Sequence, residues 1–173
     1  LLWIANRANN AMSTDPLFGP FIFNVANGWG QTFTATPAVD LRQPFAYDHF
    51  RRELDRFVSR GVRGYKIDRG EEGELPASLQ NEMTVLDDQM AHEGLHDVYG
   101  DDIFLFARNT YDRSRQFVAS WNGDTTTTFA GLIASVKIAQ RDGAILFPMA
   151  GSDTGGFSGS APTKELFARW LQF

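Results

Sequence analysis

The chain has 173 residues, with 16 Lys and Arg against 21 Asp and Glu and a net charge of −5. This acidic balance argues against a nucleic-acid partner, whose phosphates call for a basic face, and the absence of cysteine excludes disulfides and thiolate metal sites. Apolar residues at 43% supply the core of one domain over residues 1–173, and no apolar stretch approaches the roughly 18 residues of a membrane crossing.

The first element is Leu1–Ala5, a short apolar run without a basic flank, too short for a secretory signal. It reads as a strand. With Leu1 rather than Met in first place, residues are expected to precede it. The compartment is left open. Further apolar runs follow at Gly64–Ile67, Ile103–Ala107, Gln116–Trp121 and Ala144–Ala150, each bounded by turn-formers. Their near-continuous hydrophobicity fits strands buried on both faces, as in a parallel sheet.

Helical patterns separate the runs. Tyr47, Phe50, Leu54 and Phe57 form one apolar stripe, with Pro44 near its start and Gly61 past its end. Leu79, Met83, Leu86 and Met90 repeat the logic before Gly94, and Phe129, Leu132, Ile133 and Val136 before Gly143. Pro162–Phe173 reads as a further helix with Leu166 and Trp170 on one face. No helix is evident between Arg108 and Gln116. Strands alternating with helices predict an α/β fold, closed as a barrel or open and doubly wound. No Gly-rich dinucleotide loop follows any strand, which disfavours the open sheet.

The polar residues obey a positional rule. Asp68, Arg108, Asp124 and Asp153 each stand at or just past the C-terminal end of an apolar run, where (β/α)8 barrels keep their catalytic groups. A whole barrel takes about 250 residues, so the chain is expected to be part of one.

Lys66 and Asp68 share a strand face, since side chains alternate with period two. A cation beside a carboxylate favours its ionised form, as a glycosidase nucleophile requires; the alternative is a surface salt bridge. Asp124 closes Trp121-Asn122-Gly123-Asp124 and precedes four threonines. It is either an N-cap or, shielded from water by Trp121, a carboxyl that keeps its proton for donation. Two such groups meet the needs of retaining glycoside hydrolysis, in which the carboxyls stand about 5–5.5 Å apart. Arg108 offers a planar fork to hydroxyls or a carboxylate. Asp153 lies in a glycine-rich turn and could be no more than a βα connection. The acidic run Glu71, Glu72 and Glu74 reads as a solvated loop. His92 and His96 have the i, i+4 spacing of a metal pair, but without a third ligand they read as a solvated helix face. The 15 Phe and four Trp serve core packing or sugar stacking.

Taken together, these segments resemble glycoside hydrolase family 31. Gly64–Glu71 is similar to its Lys-x-Asp-x-Gly-Glu nucleophile motif, and Trp121–Asp124 to its Trp-x-Gly-Asp acid/base motif. Ile145–Phe157 resembles the strand and turn written Gly-(Ala/His)-Asp-Ile-x-Gly-Phe; Ala38–Pro44 resembles the stretch opening the helix before the nucleophile strand, and Pro162–Phe173 the last helix. The resemblance implies a (β/α)8 TIM barrel, here its third to seventh strands, and exo-acting, retaining hydrolysis of α-linked sugars with no metal or other cofactor. It makes Asp68 the nucleophile and Asp124 the acid/base, with Lys66, Arg108 and Asp153 contacting or supporting the sugar and Trp29 and Trp121 walling the pocket. The expected partner is an α-linked oligosaccharide or glycoside, with neither nucleic acid nor membrane. The missing barrel strands and an N-terminal β-sandwich are expected elsewhere in the parent chain.

Departures exist. Arg108-Asn109 stands where the family often has Arg-Ser, followed by Thr110–Arg115 in place of a glycine-containing stretch, and Arg69 replaces a common aromatic. The Lys-x-Asp form resembles α-xylosidases; many α-glucosidases carry Trp-x-Asp-Met-Asn. Both substrates stay open, as do transglycosylation and, as rivals, a non-catalytic carbohydrate-binding fragment or an open-sheet nucleotide binder.

Overall fold

A computed structural model describes residues 1–5, 16–21, 38–68 and 76–173. They form two compact units, Leu1–Val118 and Ala119–Phe173.

The first unit is built on three parallel strands: β1 (Leu2–Ala5), β2 (Gly64–Asp68) and β3 (Phe104–Ala107). β2 lies between the others, pairing Trp3 with Lys66, Ala5 with Asp68, and Ile67 with Ala107. Parallel neighbours need a long crossover, and helices supply it: α1 (Pro44–Val58) follows β1, and α2 (Gln80–Tyr99) joins β2 to β3. Tyr65 and Ile67 are fully buried while Lys66 and Asp68 are half-buried, so β2 presents one face to the core and one to the site.

α1 begins with Pro44, whose fixed φ suits a first turn. Its buried stripe is Ala46, Phe50, Leu54 and Val58, four residues apart. The expected stripe is thus rotated slightly, leaving Tyr47 and Phe57 at its margin. α2 does not stop at Gly94. That glycine is buried inside the helix facing α1, where an added Cβ would lie 3.7 Å from the Arg51 side chain. The helix ends at Gly100, whose φ of 58° allows the reversal. Tyr99 at its last turn donates its hydroxyl to the Val58 carbonyl at 2.6 Å, tying the ends of α1 and α2 together. The principal core cluster, with Phe50, Tyr65, Met83, Met90 and Leu95 among its members, lies wholly within this unit.

The second unit contains β4 (Ala119–Trp121), α3 (Phe129–Ala144), β5 (Ala150–Gly151) and α4 (Lys164–Gln172). β4 and β5 are parallel, with Ser120 opposite Ala150 and Trp121 opposite Gly151. Thr128 and Thr163 cap the two helices, accepting from the Gly131 amide at 3.0 Å and the Leu166 amide at 3.2 Å. Two expected strands are shorter than their apolar runs. Residues Asp112–Gln116 form a 3-10 turn ahead of β4. Ala144 still belongs to α3, and Leu146, with φ at 68°, breaks the run after it. The apolar residues there close a helix and bury Phe147 rather than extend a strand.

Among the described residues there are five strands, each pair parallel where its register is defined within a unit, against eight in a closed barrel. Among the described residues no helix is long and apolar enough to cross a membrane.

Candidate active site

In the first unit Trp3, the second residue of β1, is brought to one region with Lys66 and Asp68 of β2 and with Arg108 just past β3. Trp3 is the neighbour of Lys66 across the β1–β2 register. Its indole Nε1 donates to Asp68 Oδ2 at 2.9 Å. Arg108 is the first residue after β3, and its amide donates to the Ile67 carbonyl at 3.0 Å, prolonging the β2–β3 ladder by one bond. Its guanidinium stands 3.2 Å from Asp68 Oδ1. This is an ion pair whose geometry falls short of a hydrogen bond, so Oδ1 is charge-compensated without being fully engaged. Both side chains are largely covered, 12% exposed for Arg108 and 14% for Asp68. A carboxylate oriented through one oxygen and electrostatically supported at the other is suited to act as a nucleophile or as an anion facing a developing cation.

Before this strand, the segment at 38–44 is set by Asp40. Its carboxylate accepts from Arg42 Nε at 2.9 Å, Arg42 Nη2 at 2.8 Å and the Arg42 amide at 3.1 Å. The guanidinium bond holds the Asp40 carboxyl below the usual carboxylate range, against an opposing effect of burial. The Asp40 amide donates to the Phe21 carbonyl at 2.7 Å.

In the second unit Trp121 ends β4 and is buried. Asp124 follows three residues later and is exposed, so the shielding expected of it is not provided by its own unit. Nor is it the helix cap: Thr128 takes that place. Asp153 is partly buried two residues past β5, and its carbonyl accepts from the Gly156 amide at 2.9 Å to close a turn. The loops carrying Asp124 and Asp153 are joined. The Thr125 carbonyl accepts from the amides of Phe157 and Ser158 at 2.8 and 3.2 Å, and the Ser158 carbonyl accepts from the Thr127 amide at 2.8 Å. Gly156 permits this approach: its φ is 92°, and a Cβ there would stand 2.5 Å from the Thr127 Cα. Beside Asp153, Ser152 Oγ accepts from the Trp170 indole at 2.9 Å, fixing the turn to α4.

Trp29, expected to wall the pocket, and residues 69–75, including Arg69 and the acidic run, lie outside the described residues. His92 and His96 stack with centroids 5.3 Å apart, but His92 also packs against Phe117 and is part-buried rather than solvated. Burial lowers the His92 pKa, with the neighbouring His96 adding to the effect. Among the described residues no group of three or more His, Cys, Asp or Glu is placed to hold a metal ion.

Four residues gave no sign of a site role in the sequence. Trp3 was legible only as part of an apolar run. Asp87, Asp88 and Asn109 are buried, with Asn109 Nδ2 donating to Asp87 Oδ2 at 3.0 Å; an Asp-Asp pair inside a helical pattern carries no local sign of burial.

The parallel strand–helix units, with charged groups at strand ends, are of the β/α-barrel class. The sequence matches the glycosyl hydrolases family 31 TIM-barrel domain over residues 8–173, and the chain belongs to that family. It is 26% identical to an alpha-xylosidase of Emericella nidulans, over 84% of this chain and 20% of that protein. It is 38% identical to alpha-xylosidase 1 of Arabidopsis thaliana, over 47% of this chain and 9% of that one. An alpha-glucosidase of Aspergillus oryzae is 33% identical over 40% of this chain and 7% of its own length. The chain therefore spans a fifth or less of these relatives. Among solved structures, the cycloalternan-degrading enzyme of Trueperella pyogenes superposes with a TM-score of 0.82 at 19% identity, covering 98% of this chain and 28% of that one, a likeness of fold.

Proposed function

We propose that the protein containing this chain is a retaining, exo-acting α-glycoside hydrolase in which Asp68 is the nucleophile and Asp124 the acid/base. The observation that carries this reading is the Asp68 carboxylate, held at the end of β2 by Trp3 and faced by Arg108. Asp68 attacks the anomeric carbon of a terminal α-linked sugar while Asp124 protonates the departing oxygen. The glycosidic bond breaks and a β-glycosyl ester on Asp68 forms. Asp124, now a carboxylate, takes a proton from water, whose oxygen displaces Asp68 with a second inversion. A sugar hydroxyl in place of that water gives transglycosylation.

Asp124 is exposed in its own unit, so a bound glycoside covering it would supply the desolvation that general-acid work needs. Lys66, Arg108 and Asp153 bind or orient the sugar of the −1 subsite, with Trp121 and Trp29 as its walls. The Lys66-x-Asp68 form and the two α-xylosidases among the relatives favour an α-xyloside, with an α-glucoside next.

Trapping tests this. The full-length protein is treated with 5-fluoro-α-xylosyl and 5-fluoro-α-glucosyl fluorides, digested and analysed by mass spectrometry. The expected label is on Asp68, faster with the xylosyl reagent. Asp68→Asn should retain sugar binding and lose turnover. Unlabelled, folded protein that still binds sugar would instead identify a carbohydrate-binding module.

A further inference from the structure

Asp68 depends on Arg108, and Arg108 is the first residue of a loop. Something must hold that loop against α2 if the guanidinium is to stay 3.2 Å from the carboxylate. On its N-terminal side the Arg108 amide is bonded to the Ile67 carbonyl at 3.0 Å. On its C-terminal side the next residue, Asn109, turns inward. It is 2% exposed, and its Nδ2 donates to Asp87 Oδ2 at 3.0 Å. Asp87 is itself 2% exposed, on the second turn or so of α2. The Thr110 amide then returns to the Arg108 carbonyl at 3.0 Å, closing a tight turn around Asn109.

The same helix meets the loop again further on. Asp88, wholly buried, lies close to Ser114. Ser114 Oγ accepts from the Tyr111 amide at 3.1 Å, and the Ser114 amide donates to the Tyr111 carbonyl at 2.8 Å. The chain from 109 to 114 thus meets α2 at both of its ends, and the first of these meetings is one peptide from Arg108.

We infer that Asp87 and Asn109 are positioning residues for the candidate active site, a buried pair that fixes the turn after β3 and so aims Arg108 at Asp68. The inference rests on the reading of Asp68 as nucleophile. Neither residue touches the carboxylate; both act through the backbone of Arg108. The pair is directional. The Asn109 amide nitrogen donates and Asp87 Oδ2 accepts. Replacing Asn109 by Asp removes the amide donor and sets two carboxyl groups against each other in a buried place, while changing Asp87 to Asn as well restores an amide and a carboxyl with the roles exchanged.

The test uses the full-length protein and three variants: Asn109→Ser, Asn109→Asp, and the exchange Asp87→Asn with Asn109→Asp. Each is measured for the rate of covalent labelling by the fluorosugar, for kcat and KM on an aryl α-glycoside, and for Tm. Active sites are counted by the label itself. Misplacing a catalytic group by about an ångström can cost on the order of a hundredfold. Labelling should therefore slow by about tenfold to a hundredfold per folded site in Asn109→Asp, with the loss in kcat rather than KM. Asn109→Ser, which removes the reach to Asp87 without adding charge, should lose about tenfold; it keeps the test decisive if Asn109→Asp fails to fold. The exchange should recover most of the rate. Wild-type labelling per folded site in Asn109→Ser would overturn the positioning role while leaving Asp68 as nucleophile. So would an exchange that restores Tm but not the rate. Absence of label on Asp68 in the unsubstituted protein would overturn both readings together.

Discussion

At the scale of single residues, the two oxygens of Asp68 are treated differently. Oδ2 receives a full hydrogen bond from the Trp3 indole and Oδ1 faces only charge. An indole hydrogen bond to a carboxylate orients it without neutralising it. Trp3 is 53% exposed, so water can replace part of what it supplies, and the low end of the range for charged hydrogen bonds applies, about 1.5 kcal/mol. Trp3→Phe keeps the ring and removes the donor. It should lower kcat/KM by about tenfold with little change in Tm, measured on an aryl α-glycoside; an unchanged kcat/KM would show that Trp3 only covers the strand. The sequence showed why Asp68 and Asp124 stand out, because strand ends can be found from local patterns. It could not show Trp3, since the contact joins residues 65 positions apart and depends on the β1–β2 register. The register itself is a property of pairing, and each strand alone fits either neighbour.

Among the elements, α2 departs most from its expected form. The apolar stripe of Leu79, Met83, Leu86 and Met90 was legible, but a glycine within a helix looks like a helix end unless its packing is known. Gly94 lies against α1, and that contact decides the matter. The buried acids of α2 were hidden for a related reason: an Asp is read as solvent-facing by default, and only the turn after β3 reveals that it is covered. Asp88 shows the consequence. Burial raises its pKa well above the ordinary 3.8, Asp87 pushes it further the same way, and Ser114 offsets part. The folded state therefore keeps a proton that the unfolded chain releases above pH 3.8. Stability from this group is present below that pH and falls as pH rises towards the folded pKa. Asp88→Asn preserves the shape of the neutral acid and cannot ionise. Its Tm should match that of the parent near pH 4 and exceed it at pH 7 to 8. Thermal melts of the full-length protein across that range provide the check, and parallel curves would mean that Asp88 is ionised when folded.

For the molecule as a whole, the order of strands, helices and strand-end charges was legible because parallel β/α folds repeat one local grammar, while the lengths of β4 and β5 were not. Their apolar residues serve several masters, and only pairing defines a strand. The two units also differ in what they cover. The first holds the main core cluster. The second leaves Phe129, Ile133, Leu146, Met149, Phe157 and Leu171 exposed, Leu146 by as much as 72%. Apolar surface on this scale marks an interaction face or an aggregation liability. Five strands cannot close a barrel of eight, and among the described residues β1 pairs only with β2, and β5 only with β4. Open edges of this kind template association. The 173-residue chain produced alone should therefore bind a hydrophobic dye, populate concentration-dependent oligomers in sedimentation, melt without a sharp transition and turn over no glycoside. The full-length protein should do none of the first three and should be active. A cooperative melt together with turnover by the isolated chain would refute this. It would also mean that the carboxylates reach catalytic geometry without the remaining strands, so that closure of the barrel stabilises the site rather than creating it.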